Sequence, residues 1–206
     1  FSIGFEEEKF SELEYAREAA AAFGTAHREA VVRADSAAVL PALIERYGEP
    51  FGDSSAIPTY FVAQETARHV KVALSGDGGD ECFGGYLRYE ALAHLARLRR
   101  VPEAVLRFAS RLVPRGTSRG ERIGRLLGSS RRPIEDLYAD LLTVFHAEMR
   151  AELGAAGDVR ARIAEPFLRA GADPVTAASF ADLVTYLPDD LLVKVDVASM
   201  ANSLEV

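Results

Sequence analysis

The chain has 206 residues, of which 49% are hydrophobic and 27% charged, and a formal net charge of −7 at pH 7. This length falls in the range of one large domain, and the composition is that of a globular protein. The negative charge argues against nucleic acid as the main partner. The single cysteine, Cys82, excludes an internal disulfide and a zinc cluster and suits a reducing cytoplasm. No apolar run reaches the roughly 20 residues of a membrane span.

In chain order, the first part of the sequence alternates apolar segments with helix-forming segments. The apolar segments predict short strands at residues 1–5, 25–32 and 70–74. The helix-forming segments cover residues 11–23, 36–47 and 59–69. Ser11 followed by Glu14 is typical of a capping box at the start of the first helix. Gly24 and Gly48 stand where helices commonly end.

The alternation of strands and helices predicts a parallel sheet with helices on its faces. After residue 86 the pattern is helical, and its expected breaks are Pro102, 114–120, 128–133, 154–157, 171–174 and Pro188. The arginine-rich stretch 111–125 is expected to be an exposed connector. The predicted fold class is therefore α/β in residues 1–86, followed by an all-helical part in residues 87–206, packed as one domain.

The string SGDGGDE at residues 75–81 follows the third apolar segment, where open α/β sheets bind ligands. Its glycines would let a ligand approach the backbone closely. Its acids, Asp77, Asp80 and Glu81, suit magnesium, which proteins usually hold by one or two carboxylates and substrate phosphates. A polar connection that is simply rich in glycine is the alternative for so short a motif.

Lys194 stands in the apolar run LLVKVDV, residues 191–197. Its side chain either reaches outward to solvent or is held inside as a cation for a purpose, and on sequence grounds alone the outward arrangement is favoured. Asp196 is a poor partner, because residues two apart do not face each other on a helix. Asp196 is instead expected to cap a helix that carries residues 198–204.

The loop EPFGDSSAIPTY, residues 49–60, offers further polar side chains. Asp53, Ser54, Ser55 and Thr59 could bind a ligand, but a plain loop with a helix N-cap is the favoured interpretation. His27 is expected to make a structural hydrogen bond at a strand start, because no nucleophile is evident beside it.

Five blocks of the sequence, in this order and spacing, resemble the C-terminal synthetase domain of glutamine-hydrolysing asparagine synthetases. The blocks are SIGFEE (2–7), FGTAHRE (23–29), EPFGDSSAIPTY (49–60), SGDGGDECFGGY (75–86) and LPDDLLVKVDVASMANSLE (187–205). The resemblance covers nearly the whole chain and is weakest between residues 95 and 175. It implies an adenine nucleotide α-hydrolase-like fold, also called ATP pyrophosphatase.

The resemblance also implies a reaction. Family members use ATP and Mg²⁺ to adenylate the side-chain carboxylate of aspartate, and ammonia from a glutaminase domain then displaces AMP. The implied ATP-binding positions are Ile3, Ser75, Gly76 and Asp77. Asp80 matches the acid that binds magnesium on the pyrophosphate. Lys194 matches the lysine that neutralises charge at the α-phosphate, and Asp77 stands beside the reacting carboxylate, so these two are the implied catalytic residues.

Two family features are not found in these 206 residues. One is the serine–glycine–glycine–x–aspartate–serine loop that holds pyrophosphate, together with its magnesium-binding aspartate. The other is the glutaminase domain with its N-terminal cysteine. The chain is therefore expected to be a piece of a longer polypeptide that does not make asparagine by itself. Its expected partners are the glutaminase domain of the same polypeptide and a second copy in a homodimer, without nucleic acid or membrane.

Other functions remain open at this stage. A β-lactam-forming synthetase or a paralogue that amidates another carboxylate would use the same scaffold. The β-lactam formers carry a tyrosine at the position of Asp77, so Asp77 favours ammonia as the nucleophile. A non-catalytic helical scaffold is a further alternative, and the presence of Asp80 and Lys194 argues against it.

Overall fold

The computed structural model describes residues 1–5, 11–32, 36–49, 51–102, 104–106, 108, 132–145, 147–154, 160–171 and 173–206. The chain divides into two compact units. The first unit combines Phe1–Asp77 with Pro188–Val206, and the second unit is Gly78–Leu187. The boundary expected at residue 86, between an α/β nucleotide-binding part (1–86) and a helical part (87–206), stays a prediction. The predicted connector, residues 111–125, lies outside the described residues.

The secondary structure of these ranges is mostly helical. In chain order the elements are β1 (Ser2–Phe5), α1 (Leu13–Phe23), β2 (Glu29–Val32), α2 (Ser36–Tyr47), α3 (Ala56–Ala67), α4 (Gly79–Phe83), α5 (Leu87–Leu98), α6 (Ile134–Leu142), α7 (Ala147–Glu152), α8 (Ala161–Ala170), α9 (Pro174–Val184) and α10 (Leu192–Met200). A π-helical segment, Leu187–Leu191, precedes α10. Within the described ranges, the helices are too short or too polar to cross a bilayer.

Strands β1 and β2 form a parallel pair. Their register runs from Ser2 opposite Glu29 to Phe5 opposite Val32. Just before β2, the Nε2 atom of His27 lies 3.0 Å from the Ser2 hydroxyl, which is the structural hydrogen bond predicted for this histidine. Parallel strands connected through a helix confirm the α/β prediction in its coarse form.

The third predicted strand, residues 70–74, is wrong. This segment makes one isolated parallel bridge, between Val72 and Glu205. Two backbone hydrogen bonds accompany the bridge, from Ala73 N to Glu205 O and from Glu205 N to Lys71 O. Leu74 is 98% exposed. Its apolar composition suits a buried strand, but a strand also needs a neighbour along its whole length, and the described residues provide one only at this point.

The predicted capping box at the start of α1 is also wrong. The N-cap residue is Glu12, and it makes no side-chain cap bond. The Ser11 hydroxyl lies instead against Gly4 of β1, beside the buried side chain of Leu13. A Cβ atom at Gly4 would overlap both side chains, so the strand and the helix can pack this closely only where β1 has glycine.

Helix α10 begins earlier than predicted. Pro188 was expected to break the helical pattern, yet it lies in the first turn of the π-helical segment, where its missing N–H costs no helical bond. Asp196 was expected to cap a helix but lies in the middle of α10, and that prediction is wrong. Helix α10 packs on α3, and buried Ala63 and Ala198 contribute small side chains to the interior of this unit.

The second unit has a helical core, as the pattern after residue 86 predicts for its described part. Its buried cluster is made by Tyr89, Leu92, Leu95, Leu137, Tyr138, Phe167, Ala177, Ala178 and Ala181. The N-cap of α9 is Asp173, whose carboxylate accepts from the backbone N–H groups of Val175 and Thr176. Pro174 follows at the first helical position, which it suits because that N–H has no helical partner.

One buried carboxylate organises this core. Oδ2 of Asp182, which is fully buried, accepts hydrogen bonds from Arg88 Nη2 at 2.7 Å and from the Tyr89 and Tyr138 hydroxyls at 2.6 and 2.5 Å. Burial and the Asp182 charge both raise the pKa of the two tyrosines well above the ordinary value, so the phenols stay protonated donors.

Candidate active site

The first unit contains a cavity of about 560 Å³. Ser75, Gly76 and Asp77 line it, and Lys194 of α10 lies on the same lining. Four of the sequence-predicted site residues therefore meet at one cavity. Ile3 of β1 is not part of this lining, and Asp80 belongs to the second unit.

Helices α3 and α10 provide part of the cavity wall. The α3 wall presents Thr59, Val62, Ala63 and Thr66, and the α10 wall presents Lys194, Val195 and Ser199. The two helices also pack against each other. Mostly apolar walls with a few polar groups, and a volume between roughly 300 and 1,000 Å³, are typical of sites for small organic ligands.

Lys194 is held inside the protein and does not reach outward, so the outward arrangement is wrong. The residue is 7% exposed. Its Nζ atom lies 2.8 Å from Oδ2 of Asp53 and 2.7 Å from the Ser55 hydroxyl. Asp196, two residues further on, is exposed. The ammonium is thus a buried, paired cation on the wall of the cavity.

Asp53 and Ser55 are functional candidates that the favoured interpretation of the sequence missed. Asp53 Oδ1 accepts from the Ser55 backbone N–H at 2.8 Å, and Oδ2 accepts from the Ser55 hydroxyl at 2.7 Å. Local bonds of this kind are also typical of a plain turn before a helix, which is the interpretation that the residue types alone favour. The sequence feature that could have found Asp53 is Lys194 itself, since a lysine in an apolar run needs an acidic partner somewhere in the chain.

The electrostatics at Asp53 favour the ion pair. Burial raises the pKa of Asp53, but hydrogen bonds from Lys194 and Ser55 outweigh burial and hold the pKa below its ordinary value. The pKa of Asp190 is shifted in the opposite direction. Burial and the neighbouring Asp53 charge raise the pKa of Asp190, with Lys194 opposing them.

The hydroxyl of Tyr47 fixes the backbone beneath the lysine. It donates to the Lys194 carbonyl at 3.0 Å, and its ring stacks on Phe51 with a centroid distance of 4.4 Å. Burial and the charges of Asp53 and Asp190 raise the pKa of Tyr47 to about 12. Tyr47 is therefore a protonated donor at neutral pH.

Asp80, the predicted magnesium ligand, lies in the short helix α4 of the second unit. Its carboxylate lies against Gly85, where a Cβ atom would collide with it, and the Gly85 N–H donates to the Asp80 carbonyl at 3.0 Å. Across the described residues, no three His, Cys, Asp or Glu side chains are grouped so as to hold a metal. The role of Asp80 as a magnesium ligand stays a prediction. Magnesium usually takes several of its ligands from phosphates and water, so one carboxylate of the protein can suffice.

Glu81 has a structural role. It is 1% exposed, accepts a hydrogen bond from the Tyr86 hydroxyl at 2.6 Å, and its backbone carbonyl accepts from the Ser179 hydroxyl at 2.6 Å. Of the three acids in the glycine turn, Asp77 is the one on the cavity lining.

The whole chain, residues 1–206, matches the family model described as asparagine synthase. A Mycobacterium tuberculosis protein provisionally named a glutamine-hydrolyzing asparagine synthetase is 38% identical over 212 residues, which cover 100% of this chain and 32% of the relative. Asparagine synthetase (glutamine-hydrolyzing) 1 of Bacillus subtilis is 33% identical over 215 residues, which cover 100% of this chain and 33% of the relative. The chain thus spans about a third of the length of these curated relatives. No solved structure matches it. Since the family model covers the chain from end to end, the chain belongs to the asparagine synthase family.

Proposed function

We propose that this chain is part of a synthetase domain that uses ATP to activate the side-chain carboxylate of aspartate as an acyl-adenylate. Ammonia from a glutaminase domain of the same polypeptide then displaces AMP and leaves the amide. The relatives named asparagine synthetase and the family match support this class of reaction. We further propose the adenine nucleotide α-hydrolase-like fold for the complete domain.

The observation that carries the proposal is the buried ammonium of Lys194 on the wall of a cavity lined by Ser75, Gly76 and Asp77. Adenylation develops negative charge at the α-phosphate, and a fixed cation at that point stabilises the transition state more than the ground state. A lysine already desolvated and held by two acceptors needs little rearrangement when the charge develops.

The remaining residues of the lining have simple roles in this proposal. Gly76 has open space where a Cβ atom would stand, so a ligand can come close to the backbone. Ser75 offers a hydroxyl and backbone groups to the nucleoside. Asp77 is proposed to lie beside the reacting carboxylate, where its charge favours neutral ammonia over an anionic nucleophile. Ile3 is proposed as an adenosine contact, although it is not on the lining of this cavity.

Mg²⁺ is proposed as the companion of ATP, with Asp80 as the residue of this chain that would hold it. When bound, the ion neutralises the charge of the departing pyrophosphate. The residue of this chain proposed for that role contributes one carboxylate, which lies close to Gly85. The homodimer and the cytoplasmic location remain predictions.

The test is ATP–pyrophosphate exchange with the full-length protein, ATP and Mg²⁺, with aspartate compared against glutamate and other carboxylates. We expect exchange that depends on aspartate and falls about 100-fold or more in Lys194→Met, a loss typical of removing a preorganised group that stabilises transition-state charge. Exchange that prefers another carboxylate would identify a paralogue. The absence of exchange with every acid, in protein that still binds ATP, would contradict the proposed reaction.

A further inference from the structure

We propose that Asp53 and Ser55 are positioning residues, which hold the Lys194 ammonium at one point of the cavity wall and leave its remaining N–H for an anion bound there. The inference deepens the proposed function, on which its catalytic consequence rests. The contacts that support it do not depend on that function.

The first support is the geometry of the ammonium. A lysine ammonium has three N–H donors on a flexible four-carbon stem. The described residues provide two acceptors, Asp53 Oδ2 at 2.8 Å and the Ser55 hydroxyl at 2.7 Å. Two fixed bonds at the end of a rotatable chain define the position of the nitrogen, and one donor is left over.

The second support is the placement of the two acceptors relative to the cavity. Lys194 and Ser55 lie on the cavity lining, whereas Asp53 does not. Asp53 lines a separate cavity of about 270 Å³, together with Tyr47 and Phe51. The carboxylate therefore acts on a bound ligand through Lys194 and does not touch it, which distinguishes a positioning residue from a catalytic one.

The third support is the rigidity of the acceptors. The Ser55 hydroxyl has one hydrogen, which it donates to Asp53 Oδ2 at 2.7 Å, so it meets the lysine as an acceptor. Asp53 Oδ1 is occupied by the Ser55 N–H, and the Ser55 carbonyl accepts from the Thr59 hydroxyl at 2.8 Å. Ser55 is the N-cap residue of α3, and the helix begins at the buried Ala56. Both acceptors are therefore held in place by hydrogen bonds at the start of a packed helix.

The fourth support is the way α10 is held. The Lys194 carbonyl accepts from the Tyr47 hydroxyl at 3.0 Å, which ties α10 to α2. Asn202, just after α10, donates from Nδ2 to the Tyr60 carbonyl of α3 at 3.3 Å. Because the backbone of the lysine and both of its acceptors are fixed, loss of one acceptor should affect mainly the ammonium.

The direct test measures Lys194 itself, in the full-length protein without nucleotide. The variants are Asp53→Asn and Ser55→Ala, with Asp196→Asn and Ser54→Ala as matched controls for charge and for hydroxyl loss. Brief acetylation with acetic anhydride, followed by peptide mass spectrometry, reports how accessible the amine is. We expect a several-fold higher rate of Lys194 acetylation in the first two variants and an unchanged rate in the controls. An unchanged rate in both Asp53→Asn and Ser55→Ala would overturn the proposal.

The second test separates positioning from general structural support. Pyrophosphate exchange in Asp53→Asn is expected to fall by about 100-fold in kcat, the scale on which misplacing a catalytic group acts, with a smaller change in KM for ATP. In a Lys194→Met background the same substitution should cause no further loss, because the group that it positions is gone. Equal losses in both backgrounds would assign Asp53 a purely structural role and contradict the proposal.

These measurements also keep the two proposals apart. If the wild-type protein shows no exchange, the proposed function fails, and the acetylation rates alone decide whether Asp53 and Ser55 position the lysine. If Asp53→Asn does not fold, as judged by circular dichroism, Ser55→Ala decides the same question, because it removes one acceptor and leaves the ion pair in place.

Discussion

Arg88 and Asp182 form an ion pair inside the second unit, with Arg88 Nη2 2.7 Å from Asp182 Oδ2. The carboxylate is fully buried, and the arginine side chain is 17% exposed. Burial lowers the pKa of Arg88, but the hydrogen bond and the charge of Asp182 outweigh it and raise the pKa above the ordinary value. Because the two charges have little access to water, each depends on the other to compensate for the cost of its burial.

Asp182→Ala is therefore expected to destabilise the protein strongly. It leaves the Arg88 cation without its carboxylate and two tyrosine hydroxyls without their acceptor, at a cost of about 3–5 kcal/mol. The matched control is Asp140→Ala, which removes an exposed ion pair with Arg132 and should cost less than about 1 kcal/mol. Urea unfolding followed by circular dichroism measures both. Equal losses in the two variants would contradict this account of the core.

Gly85→Ala tests the close approach of residue 85 to Asp80 of α4. A Cβ atom at residue 85 would meet Oδ1, Cγ and Cα of Asp80, so the carboxylate must move aside and the backbone there must shift slightly. Overpacking of this kind costs about 1–3 kcal/mol. Gly79→Ala is the control, because a Cβ atom there meets open space. Thermal unfolding of the two variants gives the comparison, and a Gly85→Ala melting temperature equal to that of Gly79→Ala would disprove the close approach.

Tyr47→Phe tests the hydrogen bond beneath Lys194. The substitution removes the hydroxyl that donates to the Lys194 carbonyl and keeps the ring that stacks on Phe51. We expect a loss of about 0.5–1.5 kcal/mol in the free energy of unfolding, typical of one intramolecular hydrogen bond. Tyr60→Phe is the control, since Tyr60 contributes its backbone carbonyl and its ring to the described contacts. Urea unfolding should give Tyr60→Phe a free energy of unfolding close to that of the wild type. If Tyr47→Phe also matches the wild type, its hydroxyl does not have the proposed role.

Asp190→Asn tests the electrostatics around the lysine through pH. The pKa of Asp190 is raised above its ordinary value of 3.8 by burial and by the charge of Asp53. A raised folded pKa contributes stability that is fully present below the unfolded value and is lost as the pH rises through the folded value. At neutral pH the charged Asp190 therefore opposes folding, and Asp190→Asn should be more stable than the wild type.

That advantage should shrink as the pH falls below the folded pKa, because Asp190 is then protonated in the folded protein, and it should be gone below the ordinary value of 3.8, where Asp190 is neutral in both states. Melting temperatures of the wild type and of Asp190→Asn, measured from pH 7 down to pH 3, follow the difference. An advantage that stays constant over this range would show that the aspartate charge is not its cause.

Much of the local structure could be predicted from the sequence. Helix α2 has the predicted bounds, 36–47, and α5 begins at the predicted Leu87. Gly48 takes a positive φ of 75° just after α2, as a helix-ending glycine should. These features depend on residues close together in the chain, so a pattern of residues is enough to predict them. The family, too, followed from the five blocks, and the family match over residues 1–206 confirms it.

Interactions between distant residues could not be predicted in the same way. The segment 70–74 has the composition of a buried strand, yet its partner is a single bridge to Glu205, which no local pattern could reveal. Ser11 had the sequence position of a cap, but its hydroxyl lies against Gly4, because the packing of α1 on β1 decides where it points.

Lys194 shows both sides of this division. The sequence by itself determined that Lys194 stands in an apolar run, where its charge needs compensation, and that Asp77 lies within a glycine-rich turn.

Only the tertiary structure decided which acid pairs with Lys194. Asp53 lies 141 positions away in the chain, and the two meet because α3 and α10 pack against each other. Composition and local pattern report the cost of burying a charge, whereas the group that compensates for that cost is selected by packing across the whole unit.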